Sequence, residues 1–160
     1  MMSLASRRQA RALALQILYA ADGGGDPGDV ASAVAAWPDD FELEIDDEGR
    51  ALAQKLAGAA VEGGAAIDER IATASRNWRL ERMGRVDRNI LRLAVGELTA
   101  TPETPVKVVI NEAVELAKRF GTGDSAAFVN GLLDRIAAAF GRDREREAAA
   151  PDDGGGREPG

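Results

Sequence analysis

The chain predicts an all-α protein, and three observations carry that prediction. Apolar residues recur at three- and four-residue spacing in one segment after another. Alanine, the best helix former, fills 31 of the 160 positions, which favours helices packed through thin, close contacts rather than a bulky core. No segment keeps a two-residue alternation long enough to build a sheet. About seven helices follow from this spacing. The chain is the length of one domain and buries a core without needing disulfides or a structural metal.

The first helix runs over about residues 4–21, with Ala10, Ala14, Ile17, Leu18 and Ala21 toward the core. Gly23-Gly24-Gly25 and Pro27-Gly28 make a loop, and a short helix follows over 29–37 on Val30, Val34 and Trp37. The acidic stretch from Asp39 to Glu48 leads into a helix over about 46–62, striped by Leu52, Leu56, Ala59 and Ala60. Asp46, Asp47 and Glu48 fall in its first turn, where the helix dipole favours carboxylates. Gly63-Gly64 predicts a break, with a further helix beyond it on Ile67, Ile71 and Ala74. Asn77 to Met83 reads as a short turn or helix, with Trp78 as a packing anchor.

Val86 to Thr99 carries Ile90, Leu91, Val95 and Leu98 in helical register and is stopped by Pro102. Thr104-Pro105 is a helix-start pair, a capping hydroxyl before a proline at the first helical position. Val106, Val108, Val109 and Ile110 resemble a strand locally. However, Ile110, Ala113, Val114, Ala117 and Phe120 hold helical spacing as far as Gly121. A last helix, capped by Asp124 or Ser125, carries Phe128, Leu132, Ile136 and Phe140. Gly131 inside it costs about 1 kcal/mol of helix propensity relative to alanine, which a close helix–helix contact would justify. From Gly141 the charges alternate without apolar period, so 141–160 is expected to be a disordered tail.

The chain contains neither cysteine nor histidine. That removes disulfides, zinc fingers, iron–sulfur clusters, and thiol or imidazole catalysis. The net charge of −7 argues against nucleic acid until it is divided along the chain. Residues 1–21 hold Arg7, Arg8 and Arg11 and no acid, whereas 22–50 hold ten acids against Arg50. The acidic stretch therefore exceeds the whole deficit, and the local potential near the first helix is basic. No apolar run is long enough to span a membrane, and the N-terminal run, broken by Arg11 and Gln16, makes no convincing signal peptide. A cytoplasmic protein is the expectation.

At 100° per residue, Arg8, Arg11, Leu15 and Tyr19 lie on one face of the first helix, with Arg7 beside them. Guanidinium groups pair with phosphates and an aromatic ring stacks on bases, so this face suits single-stranded RNA. From spacing alone, a solvated arginine face with Tyr19 half-buried is the more common reading. Gly121-Thr122-Gly123-Asp124-Ser125 opens a helix but lacks the preceding strand and the lysine of a phosphate loop, so Asp124 reads as a cap. Phe128, one turn further on, fits either the core or a stacking platform. Glu112 and Glu115 read as a polar face paired with Lys118 and Arg119 rather than as metal ligands. Nothing assembles a nucleophile, a base and an orienting group, so no enzyme, cofactor or metal is expected.

Three runs go further. Arg7 to Tyr19, Val86 to Ala94, and above all Pro105 to Gly131 resemble the NusB family of bacterial antitermination factors. The third contains Val109-Ile110-Asn111-Glu112-Ala113-Val114-Glu115-Leu116-Ala117-Lys118, Phe120-Gly121, Asp124-Ser125 and Phe128-Val129-Asn130-Gly131. The similarity covers roughly 4–140. It implies two three-helix bundles, about 1–75 and 76–140, and no enzymatic activity. It also implies binding to boxA RNA together with the small-subunit ribosomal protein NusE, so that RNA polymerase reads through terminators in ribosomal RNA operons.

By the same resemblance Arg7, Arg8, Arg11, Tyr19, Lys118, Asp124 and Phe128 face RNA, while Glu81 and Asp87 meet NusE. Replacing Arg8 and Arg11 together should then weaken RNA binding with the fold intact. A homodimer that hides the RNA surface is an alternative assembly in the family. Gln9 stands where relatives often carry a basic residue, which thins the arginine cluster. The acidic stretch would repel RNA if it lay beside the first helix.

Overall fold

The computed structural model describes residues 2–22, 30–36, 44–76 and 78–142. The glycine loop, Trp37, much of the acidic stretch, Asn77 and the tail from residue 143 onward lie outside the described residues. Among the described residues six α-helices appear in order: α1 (Leu4–Asp22), α2 (Val30–Ala36), α3 (Asp47–Ser75), α4 (Arg85–Ala100), α5 (Val106–Phe120) and α6 (Ser125–Ala139), with a 3-10 turn at Leu80–Arg82 between α3 and α4. The described residues contain no strand, and no helix among them is long and apolar enough to cross a membrane.

Alanine shapes the packing. Ala10, Ala12 and Ala14 are fully buried in α1, and their short side chains let α3 and α4 close around that helix. α5 and α6 pack on each other and on α4. Leu13, Leu56, Ile71, Ile90, Leu91, Ile110, Leu132 and Leu133 have almost no exposed surface and belong to one continuous cluster. Asp46 starts α3 by accepting the Gly49 amide at 2.8 Å, the N-cap pattern that satisfies an orphan donor.

Five expectations change. α3 does not break at Gly63-Gly64 but kinks there, with Gly64 at φ 41°, ψ −119°, and continues to Ser75; glycine takes this positive φ at little steric cost. Thr104-Pro105 caps nothing through a side chain. Pro105 stands just outside α5, and its carbonyl accepts the Val108 amide at 3.0 Å and the Val109 amide at 3.2 Å. Gly131 has open space where a Cβ would sit, and the close approach falls instead at Gly96, whose added Cβ would lie 3.0 Å from the Ala60 amide nitrogen on α3. Trp78 is 50% exposed. Leu80 packs against the core and Met83 lies within it, so they anchor the turn in place of the indole. The start of the expected tail is tethered: Arg142 donates to the carbonyls of Leu98 at 2.9 Å and Thr104 at 2.7 Å, satisfying groups left open at the end of α4 and in the link to α5.

Candidate nucleic-acid interface

α1 begins where the Ser3 hydroxyl accepts the Ser6 amide at 3.0 Å. Arg7 and Arg8 follow on the exposed first turns. The Arg8 Nε donates to Glu112 on α5 at 3.0 Å, and its Nη2 donates to the other carboxylate oxygen at 3.2 Å. Glu112 is buried, while the Arg8 side chain keeps 46% of its surface. One edge of the guanidinium is thus fixed and the rest faces solvent. The hydrogen bond and the charge of Glu112 push the Arg8 pKa above the ordinary arginine value, so the group stays cationic.

Arg11 departs from the predicted face. It is 6% exposed, and its Nε and Nη2 form a fork onto both oxygens of Glu97 on α4, the Nε bond measuring 3.1 Å. Leu15 is buried as well. The wheel places Arg8, Arg11, Leu15 and Tyr19 on one side, but α4 covers the middle of that side. Arg11 is therefore a buried structural cation beneath the surface. Sequence reasoning misses Glu97 and Glu112 as the partners of Arg11 and Arg8. Glu97 does leave a signal, a lone carboxylate within the apolar run Leu93 to Leu98.

Further basic groups arrive from α5. Arg119 Nη1 donates to Gln9 Oε1 at 3.3 Å, so the thinner arginine cluster on α1 gains a guanidinium from its neighbour. Lys118 is exposed and pairs with Glu115 at 3.5 Å. Glu112 thus reaches across to Arg8 of α1, while Glu115 takes the local Lys118. Asp124 occupies the N-cap position of α6 with helical φ/ψ (−93°, −8°) and makes no capping bond; a capping side chain needs the extended region. Ser125 closes the turn instead, its hydroxyl accepting the Thr122 amide at 2.9 Å, and the Asp124 residue stays exposed. Phe128 is partly buried against the core, with an edge left open.

At the far end of α1, Tyr19 is 39% exposed. Arg85 lies over its ring at 4.2 Å and donates to its backbone carbonyl at 3.1 Å. Asp22 then accepts Arg88 Nε at 2.7 Å and Asn89 Nδ2 at 2.8 Å, with Arg92 at 3.4 Å. Burial alone would raise the Asp22 pKa, but these hydrogen bonds and charges outweigh it and hold the carboxyl below the usual range. The one acid of α1, its last residue, is thereby neutralised from within. Glu81 is exposed on the 3-10 turn, 4.0 Å from Arg79, and Asp87 sits in the first turn of α4.

Comparison with known proteins adds to this geometry. The pattern of the NusB family matches residues 8–138. The transcription antitermination protein NusB of Sorangium cellulosum is 50% identical over 144 residues, covering 89% of this chain and 100% of that protein. The solved structure of T. maritima NusB superposes with a TM-score of 0.76 at 32% identity, covering 94% of this chain and 100% of that one. A crystal structure of the antitermination factors NusB and NusE in complex with dsRNA superposes with a TM-score of 0.72 at 29% identity, covering 86% of this chain and 99% of its counterpart.

Proposed function

The chain belongs to the NusB family, and from that premise we propose that it acts as a transcription antitermination factor that binds boxA RNA together with NusE. The pair joins the RNA polymerase antitermination complex on ribosomal RNA operons and promotes read-through. The protein is an RNA-binding assembly factor and not an enzyme. Its place of work is the cytoplasm, where transcription occurs.

The observation that carries the RNA face is Arg8, fixed on one edge by buried Glu112 and open on the other. A guanidinium held this way reaches a phosphate with less loss of side-chain freedom than a free arginine. Arg7, Lys118 and the open part of Phe128 extend the surface, Tyr19 ends it, and Asp124 offers an exposed carboxylate to base donors. Arg11 supports the face from below through Glu97 and does not itself touch RNA. Glu81 and Asp87 are the acids we assign to NusE, a basic partner that would supply much of the phosphate neutralisation this net-negative chain lacks.

Titrating labelled boxA RNA with and without NusE tests the reading. Arg7→Ala with Arg8→Ala should weaken binding and flatten its salt dependence, by about 0.7 in log–log slope for each single-strand phosphate left unneutralised. Equal affinity and slope for wild type and variant would overturn it, and tight NusE binding with no RNA binding would leave only a protein-interaction module.

A further inference from the structure

The turn between α3 and α4 carries, beside Glu81, an indole and three exposed arginines that none of these assignments uses. From Arg76 to Arg85 the chain holds four arginines against the single acid Glu81, together with Trp78. Trp78 and Tyr19 are the exposed aromatic residues among the described residues, at 50% and 39%. Arg76, Arg79 and Arg82 are exposed as well. A half-exposed indole forgoes much of the burial that makes tryptophan stabilising, so packing does not account for it.

The turn is nevertheless well held. The Ser75 hydroxyl donates to the Trp78 carbonyl at 2.7 Å. Arg88 Nη1 donates to the carbonyls of Leu80 and Met83, each at 3.2 Å, while its Nε binds Asp22. The same guanidinium therefore ties this turn to the end of α1. Arg85 ties it there again through the ring and carbonyl of Tyr19. Trp78 is displayed on a fixed backbone, continuous with the end of the proposed RNA face.

We propose that this turn is a second contact for single-stranded RNA, in which Trp78 stacks on a base and Arg79 and Arg82 meet the flanking phosphates. Exposed aromatic rings among arginines are what a flexible, unpaired strand requires. The positive charge favours RNA here over a basic protein. Arg8 and Tyr19 are eleven positions apart on α1, a rise of about 16 Å, so a strand of a few nucleotides that starts at Arg8 reaches Tyr19 and passes onto the turn. Glu81 on the same turn then puts the RNA path next to the acids assigned to the partner protein.

The inference rests on the RNA reading above, and its test separates the two. The chain has two tryptophans, so in full-length Trp37→Phe protein the fluorescence reports Trp78 alone. Single-stranded boxA RNA should quench it with a midpoint equal to the Kd from labelled RNA. Trp78→Ala should raise that Kd about tenfold without lowering Tm, Trp78→Phe should recover part of the loss, and Arg79→Glu should also weaken binding. Absent quenching, or an unchanged Kd for Trp78→Ala while Arg8→Ala still weakens binding, would overturn the second contact and leave the α1 face standing. An unchanged Kd for both substitutions would sink both. Fluorescence that responds to NusE alone and not to RNA would assign the turn to the protein partner and overturn the inference.

Discussion

The two ends of α1 are tied to the rest of the protein by ion pairs of opposite polarity. Near its start the helix supplies the cations, with Arg8 meeting Glu112 on α5 and Arg11 meeting Glu97 on α4. At its end it supplies the anion, Asp22, to Arg88, Asn89 and Arg92 of α4. The first end still presents charge to solvent, because Arg8 is half-exposed and Arg7 lies beside it. At the second end the carboxylate is enclosed by guanidinium groups that are themselves mostly covered. One helix thus offers positive charge at one end and cancels its own negative charge at the other. A basic face can survive this way in a chain of net charge −7.

The sharpest break in this picture comes from Arg11. Its side chain and that of Glu97 keep only 7% and 5% of their surface. Arg11→Ala strands a buried carboxylate and should cost about 3–5 kcal/mol in denaturant unfolding. Replacing both partners with leucine should recover most of that loss, since a buried pair exchanged for apolar packing is often neutral. A loss under about 1 kcal/mol for Arg11→Ala would mean that the pair is solvated and that Arg11 belongs to the surface after all. The double substitution at Arg8 and Arg11 is therefore a poor RNA test, because the second change strikes the fold. Arg8→Ala alone should separate the roles, reducing RNA affinity several-fold, about one phosphate contact's worth, with a smaller change in unfolding midpoint than Arg11→Ala, because removing the half-exposed Arg8 opens Glu112 to water whereas Glu97 stays enclosed.

How far these roles are legible depends on what each residue's neighbours along the chain reveal. Helical spacing locates α1, α4, α5 and α6 because their apolar stripes are long and regular. The continuation of α3 through Gly64 is not legible, since two adjacent glycines look the same whether a helix stops or kinks. Arg8 and Arg11 look alike on a helical wheel. Only the cover provided by α4 distinguishes them, and that cover is a tertiary fact. Trp78 misleads for a related reason: tryptophan is usually a buried anchor, but here Leu80 and Met83 already supply the turn's apolar contacts. Asp124 looks like a cap by position, but its helical φ/ψ withdraws it from that role, and the Ser125 hydroxyl takes the Thr122 amide instead.

The smallest effect lies at the C-terminal end of α1 and is read through pH. The Asp22 pKa is depressed in the folded protein, so its stabilisation is present above the pKa of the unfolded chain and is lost as pH falls through the folded value. Arg92 is held above the usual arginine value because Asp68 and Asp22 outweigh the cost of its burial, so its charge persists throughout. Asp22→Asn keeps an acceptor for Arg88 but removes the charge. Near neutral pH the wild type should exceed this variant by at most about 1 kcal/mol in urea unfolding, because the amide still accepts from Arg88 and Arg92 keeps Asp68. The gap should narrow as pH drops below about 4, the ordinary carboxylate value, and vanish once Asp22 is protonated. A gap that stays constant from neutral pH down to strong acid would show that Asp22 acts through shape alone, and the opposed polarity of the two ends of α1 would then have no energetic consequence at this one.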